Sequence, residues 1–248
     1  MINITRSNFS YYLYIFGIFL LAVSLPFSKF LMSISEIILL LSWLSAGNIF
    51  DKIKLFAKNK TALILSSVFI LHLIGLMYTS DFHYGIEDVK KKIPLMLLPL
   101  IFSTSAPLAK NIFEKLLSFF VLSVVVASLI CFYVLLGYAD KQILQPQQAS
   151  IFISHIRFSL LISMAVFILG YFFIQHKSFV VKVSFSLLII WLILFLIMTE
   201  STTGLVCIVI TSLVLLLSYA YKTQKMFFKI SSFCFFILTC FLVFLTRN

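Results

Sequence analysis

Long charge-free apolar runs recur along the whole chain, separated by short polar segments that hold almost all of its charge. A helix needs about 20 apolar residues to cross a bilayer, and in hydrocarbon every backbone N–H and C=O must be paired within the protein. The runs lack the period-two alternation of a membrane barrel strand, so the predicted class is all-α, a polytopic helix bundle in a single transmembrane domain. Crossings are predicted at about residues 11–27, 30–46, 61–78, 93–109, 116–137, 158–174, 183–198, 205–221 and 230–245, about nine in all. With 62% hydrophobic and 11% charged residues, the 248-residue chain has more apolar surface than a soluble domain of that size buries.

The net charge of +11 does not point to nucleic acid, because the 19 basic residues are scattered between apolar runs rather than gathered on one face. They read as topology signals. With the N-terminus inside, the cytoplasmic segments hold Arg6, Lys52, Lys54, Lys58, Lys60, Lys110, Lys115, Lys177, Lys182, Lys222, Lys225 and Lys229, against seven cations outside, which predicts N-in and C-out. Three of those seven are Lys90, Lys91 and Lys92, a cluster on the disfavoured side. The four cysteines, Cys131, Cys207, Cys234 and Cys240, lie inside apolar runs without metal-like spacing, and no metal or cofactor site is expected. The first run has no convincing small-residue cleavage site and reads as an uncleaved span.

Thr79–Pro99 concentrates the charge: Asp81, His83, Glu87, Asp88 and three lysines lead directly into an apolar segment that starts at Ile93-Pro94. On a helical reading, Ser80 or Asp81 caps a short amphipathic turn, and Glu87–Lys91 and Asp88–Lys92 are i,i+4 pairs in the favourable order. The alternative is an anion site, with Lys91 and Lys92 beside a helix start at the membrane surface. His155 and Arg157 form a second basic pair where a glutamine-rich loop meets the sixth span. A guanidinium matches phosphate through a fork, so this pair serves either as an interfacial anchor or, with Lys91 and Lys92, as a diphosphate site. His155 is also a candidate base, although no orienting carboxylate lies near it in sequence.

Elsewhere, Glu36 lies two turns from Lys29 and reads as one half of an interfacial ion pair, with a functional role as the alternative. His72 sits in the third run. Pro94, Pro99 and Pro107 mark the fourth, predicting a kinked or broken helix at the lower limit of spanning length. Glu200 lies in a tight polar turn, Thr199–Gly204.

Three segments carry a family resemblance: the acidic loop leading into Lys-Lys-Ile-Pro-Leu-Met-Leu-Leu-Pro-Leu, the stretch Ser154-His155-Ile156-Arg157-Phe158-Ser159-Leu160, and the turn Glu200-Ser201-Thr202-Thr203-Gly204. In these the chain resembles the O-antigen ligase and O-antigen polymerase family. The turn is similar to the family's Ser-Arg-Ser-Gly-like element, with Thr202 or Thr203 in place of the arginine. The resemblance implies a multi-pass protein of the bacterial cytoplasmic (inner) membrane, a glycosyltransferase of lipopolysaccharide or polysaccharide assembly in the cell envelope. It further implies metal-independent transfer from an undecaprenyl-diphosphate glycan to a lipid or glycan acceptor, with Lys92 and Arg157 on the diphosphate. Family members continue into a large periplasmic loop with a required histidine. The expectation here is therefore a truncated or split member, with a second polypeptide supplying that loop. Two other readings stand beside it: a small secondary transporter with Glu36, His72 and the proline-broken fourth span along its pathway, and an inactive remnant.

Overall fold

A computed structural model describes residues 8–138 and 145–223. The predicted ninth span at 230–245, together with Arg6, Lys141, Lys225, Lys229, Cys234 and Cys240, lies outside the described residues. Within them, every regular element is helical. In chain order they are α1 (Asn8–Ser24), α2 (Lys29–Ser45), α3 (Ile49–Lys58), α4 (Lys60–Gly75), α5 (Phe82–Lys92), α6 (Pro94–Thr104), α7 (Lys110–Leu135), α8 (His155–Gln175), α9 (Phe179–Met198) and α10 (Thr202–Thr223), with single 3₁₀ turns at Leu76–Tyr78 and Pro146–Ala149.

Four of these stretches are long and apolar enough to cross a membrane: Lys60–Tyr78, Lys110–Leu135, His155–Gln175 and Phe179–Met198. A fifth is added if α2 and α3, bent by 112° at their junction, are taken as one span. Phe9–Ser24 and Thr202–Ser218 are shorter apolar helices. The fourth predicted span, 93–109, is helical only over Pro94–Thr104, eleven residues that reach about 16 Å, roughly half a bilayer. Pro94 suits the first turn of this helix, and Ser105 in extended backbone ends it two residues before Pro107.

The chain divides into two compact units, one formed by residues up to Leu25 together with Lys29–Leu116, the other by Pro26–Ser28 together with the chain from Leu117 on. In the first unit α1 and α2 form a hairpin, and Tyr14, Ile18, Leu39 and Trp43 from it make a core together with Ile101 of α6. Gly17 lets the two helices approach, since a Cβ there would stand 2.9 Å from Leu39 Cδ2. Ser42 Oγ donates to the Ser10 carbonyl at 2.7 Å, tying the hairpin's open end. The sharp turn into α3 is made by Gly47 and Asn48, both left-handed at φ 66° and 52°. Glycine and asparagine are the residues that enter that region at least strain.

Trp43 then acts as a junction. Its indole N–H donates to Thr104 Oγ1 at 2.7 Å, and Thr104 Oγ1 in turn donates to the Leu100 carbonyl at 2.7 Å. Lys52 of α3 turns inward, donates from Nζ to the Trp43 carbonyl, and stands 4.7 Å from the centroid of the Trp43 ring. Counted from sequence as a loop cation, Lys52 is 2% exposed. The 112° bend brings its long stem back over the end of α2, so its head group satisfies one of the carbonyls that a helix C-terminus leaves unpaired.

The second unit is built on α7, α8, α9 and α10. Trp191 of α9 donates to Ser128 Oγ of α7 at 2.9 Å and packs edge-on against Phe132. α8 and α9 form a hairpin, and Phe158 and Phe195 meet edge to face across it. α9 ends in a Schellman motif: the Ser201 N–H bonds to the Leu196 carbonyl and the Glu200 N–H to the Ile197 carbonyl, both at 3.0 Å, with Glu200 left-handed at φ 50°. α10 then returns alongside α8. Ser159 and Thr203 hydroxyls meet at 3.0 Å, and Ser163 Oγ lies 2.9 Å from the Gly204 carbonyl.

Two substitutions test these contacts. A Cβ on Gly204 would stand 2.8 Å from Ser159 Cβ and 3.1 Å from the Ser159 carbonyl, so Gly204→Ala is expected to destabilise by about 1–3 kcal/mol. Gly170→Ala, where a Cβ meets open space, should be neutral or stabilising by up to about 1 kcal/mol. Thermal unfolding in detergent distinguishes them. Lys52→Ala removes both the bond to the Trp43 carbonyl and the stack on its ring, and is expected to cost about 2 kcal/mol by the same measurement, more than Lys54→Ala on the exposed side of α3.

Candidate functional site

The predicted site residues fall in two places. Lys91 and Lys92 end α5 in the first unit, and His155 and Arg157 open α8 in the second. Each place is built by its own local chemistry.

α5 is a short amphipathic helix. Asp81 is its N-cap, accepting the Tyr84 N–H on Oδ1 at 3.0 Å, and Thr79 braces the cap through its hydroxyl, which accepts the Asp81 N–H at 3.3 Å. The lysines fill the last turn, the end of a helix where cations are favoured. Both sequence-predicted pairs form: Lys92 Nζ lies 2.5 Å from Asp88 Oδ2 and Lys91 Nζ lies 3.9 Å from Glu87 Oε2. Lys92 is therefore half-buried and committed to a carboxylate, whereas Lys91 is exposed and only loosely paired. Lys90, the third lysine of the cluster, is exposed and has no partner among the described residues.

Beside α5 a cleft of about 390 Å³ opens against the end of α4, lined among others by His72, Thr79, Tyr84 and Asp88. His72 Nδ1 donates to the Val68 carbonyl at 2.7 Å. The hydrogen bond from Lys92 holds the Asp88 carboxyl below its ordinary value. The charges of Lys92, His72 and Lys91 add to this, and partial desolvation opposes it.

The start of α8 has a different character. Ser154 is the N-cap, but its side chain makes no capping bond, and no acidic residue stands in the first turn. The first backbone N–H groups of the helix thus keep their positive end uncompensated by the protein's own side chains. The 3₁₀ turn Pro146–Ala149 folds back in front of it, anchored by the fully buried Ala149. Between the two lies a cleft of about 340 Å³ lined by Gln145, Gln147, Gln148, Ser150, Ser154 and His155. Every lining side chain is polar. Arg157, two residues beyond His155 in the first turn of α8, is exposed and has no ion-pair or hydrogen-bond partner among the described residues.

α10 adds to this end of the unit. Ser159 is bonded to Thr203, and Ser163 to the carbonyl of Gly204, so α8 and α10 run parallel with their N-termini at the same end. Glu200 is exposed in the turn between α9 and α10, and Ser201 Oγ is buried without a hydrogen-bond partner. Sequence reading located the turn but not its pairing with α8, which is a tertiary contact between serine and threonine residues of ordinary composition. Lys52 was missed for a similar reason. Its position in the charged run Asp51-Lys52-Ile53-Lys54 hides that its side chain points inward. Among the described residues no group of three or more His, Cys, Asp or Glu side chains is placed to hold a metal.

No protein-family model matches the chain, and no curated protein or solved structure matches it either.

At α5 the sign of the pH effect follows from Asp88. A carboxyl held below its ordinary value contributes stability above that value and loses it as pH falls through the lowered one. The Asp88 carboxyl is expected to titrate below the ordinary aspartate value, and Lys92→Gln should move its midpoint upward toward that value. Carboxyl carbon NMR of the micelle-bound protein reads both midpoints.

Proposed function

We propose that the chain is a multi-pass protein of the bacterial inner membrane that binds an undecaprenyl-diphosphate-linked glycan, in the manner of the O-antigen ligases and polymerases that its loops resemble. The transfer it would serve runs to a lipid or glycan acceptor. The observation that carries the reading is the polar cleft at the N-terminus of α8, with the unpaired Arg157 in the same first turn, two residues beyond His155.

Three features of that place suit a sugar diphosphate. The glutamine amides and serine hydroxyls of the cleft both donate and accept, which matches the hydroxyls of a glycan. The N-terminus of α8 offers backbone donors and a positive dipole end, and the N-terminus of α10 points the same way. Arg157 supplies a planar fork for phosphate oxygens. His155, which lines the cleft, is the candidate base, and the reading assigns it no further role. Lys91 and Lys92 form a separate basic edge at the end of α5, one in which Lys92 must leave Asp88 before it can hold another anion.

The proposed topology has about nine crossings with the N-terminus inside. Its support is the excess of lysine and arginine on one set of loops, the four or five long apolar helices, and the path of α6. Thr104 at the end of α6 is bonded to Trp43 at the end of α2. In this topology α6 and residues 105–109 together make the fourth crossing.

Binding of undecaprenyl-diphosphate glycan to the full chain in nanodiscs tests the assignment. Arg157→Ala is expected to weaken it about ten-fold or more, the loss of a charge-assisted pair of hydrogen bonds. Lys92→Ala should have the smaller effect. Unchanged affinity in the Arg157 variant would sink the proposal.

A further inference from the structure

α3 and the groove beside it point to a second lipid contact, one that does not depend on the glycan reading. The helix leaves α2 at 112°, so it runs across the end of α2 rather than along it, and α4 follows at once. Its surface is divided lengthwise. Lys52 and Phe56 face the protein. On the outer side Ile49, Phe50 and Ile53 form an apolar arc, 41%, 84% and 49% exposed, and Lys54 and Lys58 stand next to it at helical spacing. That is the pattern of a helix lying in the membrane surface with lysines reaching to the head groups.

A groove of about 490 Å³ opens at the end of this helix between α4 and α6, lined by Asn59, Thr61, Leu65, Leu95, Leu98 and Phe102 among others. Its wall is apolar except at the end where α3 passes into α4. Lys60 stands in sequence between two of the lining residues, and Lys58 immediately precedes them. Lys54, Lys58 and Lys60 are exposed and have no ion-pair partner among the described residues. Asn59 is already occupied as the α4 cap, accepting the Ala62 N–H.

We infer that this groove and its lysine edge form a site for an anionic phospholipid, with one acyl chain along α4 and α6 and the phosphate on Lys58 and Lys60. Charge decides the occupant. A zwitterionic head group would bring a cation of its own against three unpaired lysines, whereas an anionic one gains from each lysine near the membrane surface, about five-fold in affinity per residue. The groove, lined by leucine, proline and phenylalanine, supplies the contact for the chain.

Native mass spectrometry of the full-length protein, released from detergent doped with equal phosphatidylglycerol and phosphatidylcholine, reads the preference directly. Retention of phosphatidylglycerol over phosphatidylcholine is expected. Lys58→Gln and Lys60→Gln should each reduce the preference about five-fold, and Leu95→Trp, which fills the groove from a half-exposed position, should lower retention of both lipids. An unchanged preference in the double glutamine variant overturns the site. So does an equal loss in Lys177→Gln, because the effect would then follow total charge rather than this edge. Full retention in Leu95→Trp would move the acyl chain out of the groove and overturn that half of the assignment.

Discussion

The bond from the Trp43 indole to Thr104, with Lys52 closing on the Trp43 carbonyl, is the interaction on which the first unit depends. A helix that ends beside hydrocarbon leaves carbonyls with no water to accept from, and each unpaired one is costly. α2 meets this at Trp43 by borrowing a donor from the next helix. The loan fixes geometry as well as energy. Lys52 can reach Trp43 only if Gly47 and Asn48 turn left-handed and swing α3 back through 112°. Once α3 lies across the end of α2, its other side is committed to the surface, and the apolar arc and lysine edge follow. Thr104 then sets where α6 must end, and with it the wall of the groove against α4.

The second unit solves the same problem with small residues. Ser159, Ser163, Thr203 and Gly204 let α8 and α10 approach closely, and their hydroxyls bond across the seam. Van der Waals packing and such bonds are the means available between helices that gain nothing from leaving lipid for protein. The consequence is directional. Because α9 turns tightly at Glu200, α10 starts level with the early turns of α8, and two helix N-termini share one end of the bundle. An aromatic or branched residue at Gly204 would push α10 away and part that pair.

Much of the helix layout could be read from hydropathy, because a long charge-free run has few other ways to pair its backbone. The i,i+4 pairs of α5 and the cap at Asp81 were also legible, being local in sequence. What could not be read depends on direction. Lys52 and Lys54 are two residues apart and chemically alike, yet they differ by about 200° around the helix, so one is buried and the other is solvated. α3 itself was hidden among lysines that read as a loop, although the spacing of Ile49, Ile53 and Phe56 carries a helical stripe. The fourth predicted span is shorter as a helix than as an apolar run, since prolines keep a segment apolar while limiting how far it can stay helical. At α8 the glutamines announced a polar loop. That this loop folds back as a 3₁₀ turn over the helix start is a matter of the burial of Ala149 and Ile153, which no local pattern signals.

The two basic places differ in what an incoming anion must displace. At α5 a phosphate competes with Asp88 for Lys92 and with Glu87 for Lys91. Ion pairs this open to water are weak, so the lysines can be released, but the carboxylates remain and repel the newcomer. At α8 no carboxylate stands in the first turn, the cap side chain is unengaged, and Arg157 carries its charge without a partner among the described residues. Glu200, in the turn that leads into α10, is left-handed and exposed. Formal charge favours the three-lysine cluster, yet two of its lysines are already paired with carboxylates, whereas Arg157 is not paired among the described residues. On these grounds the α8 cleft is the place the proposed anion binding rests on, and α5 is an ion-paired surface helix.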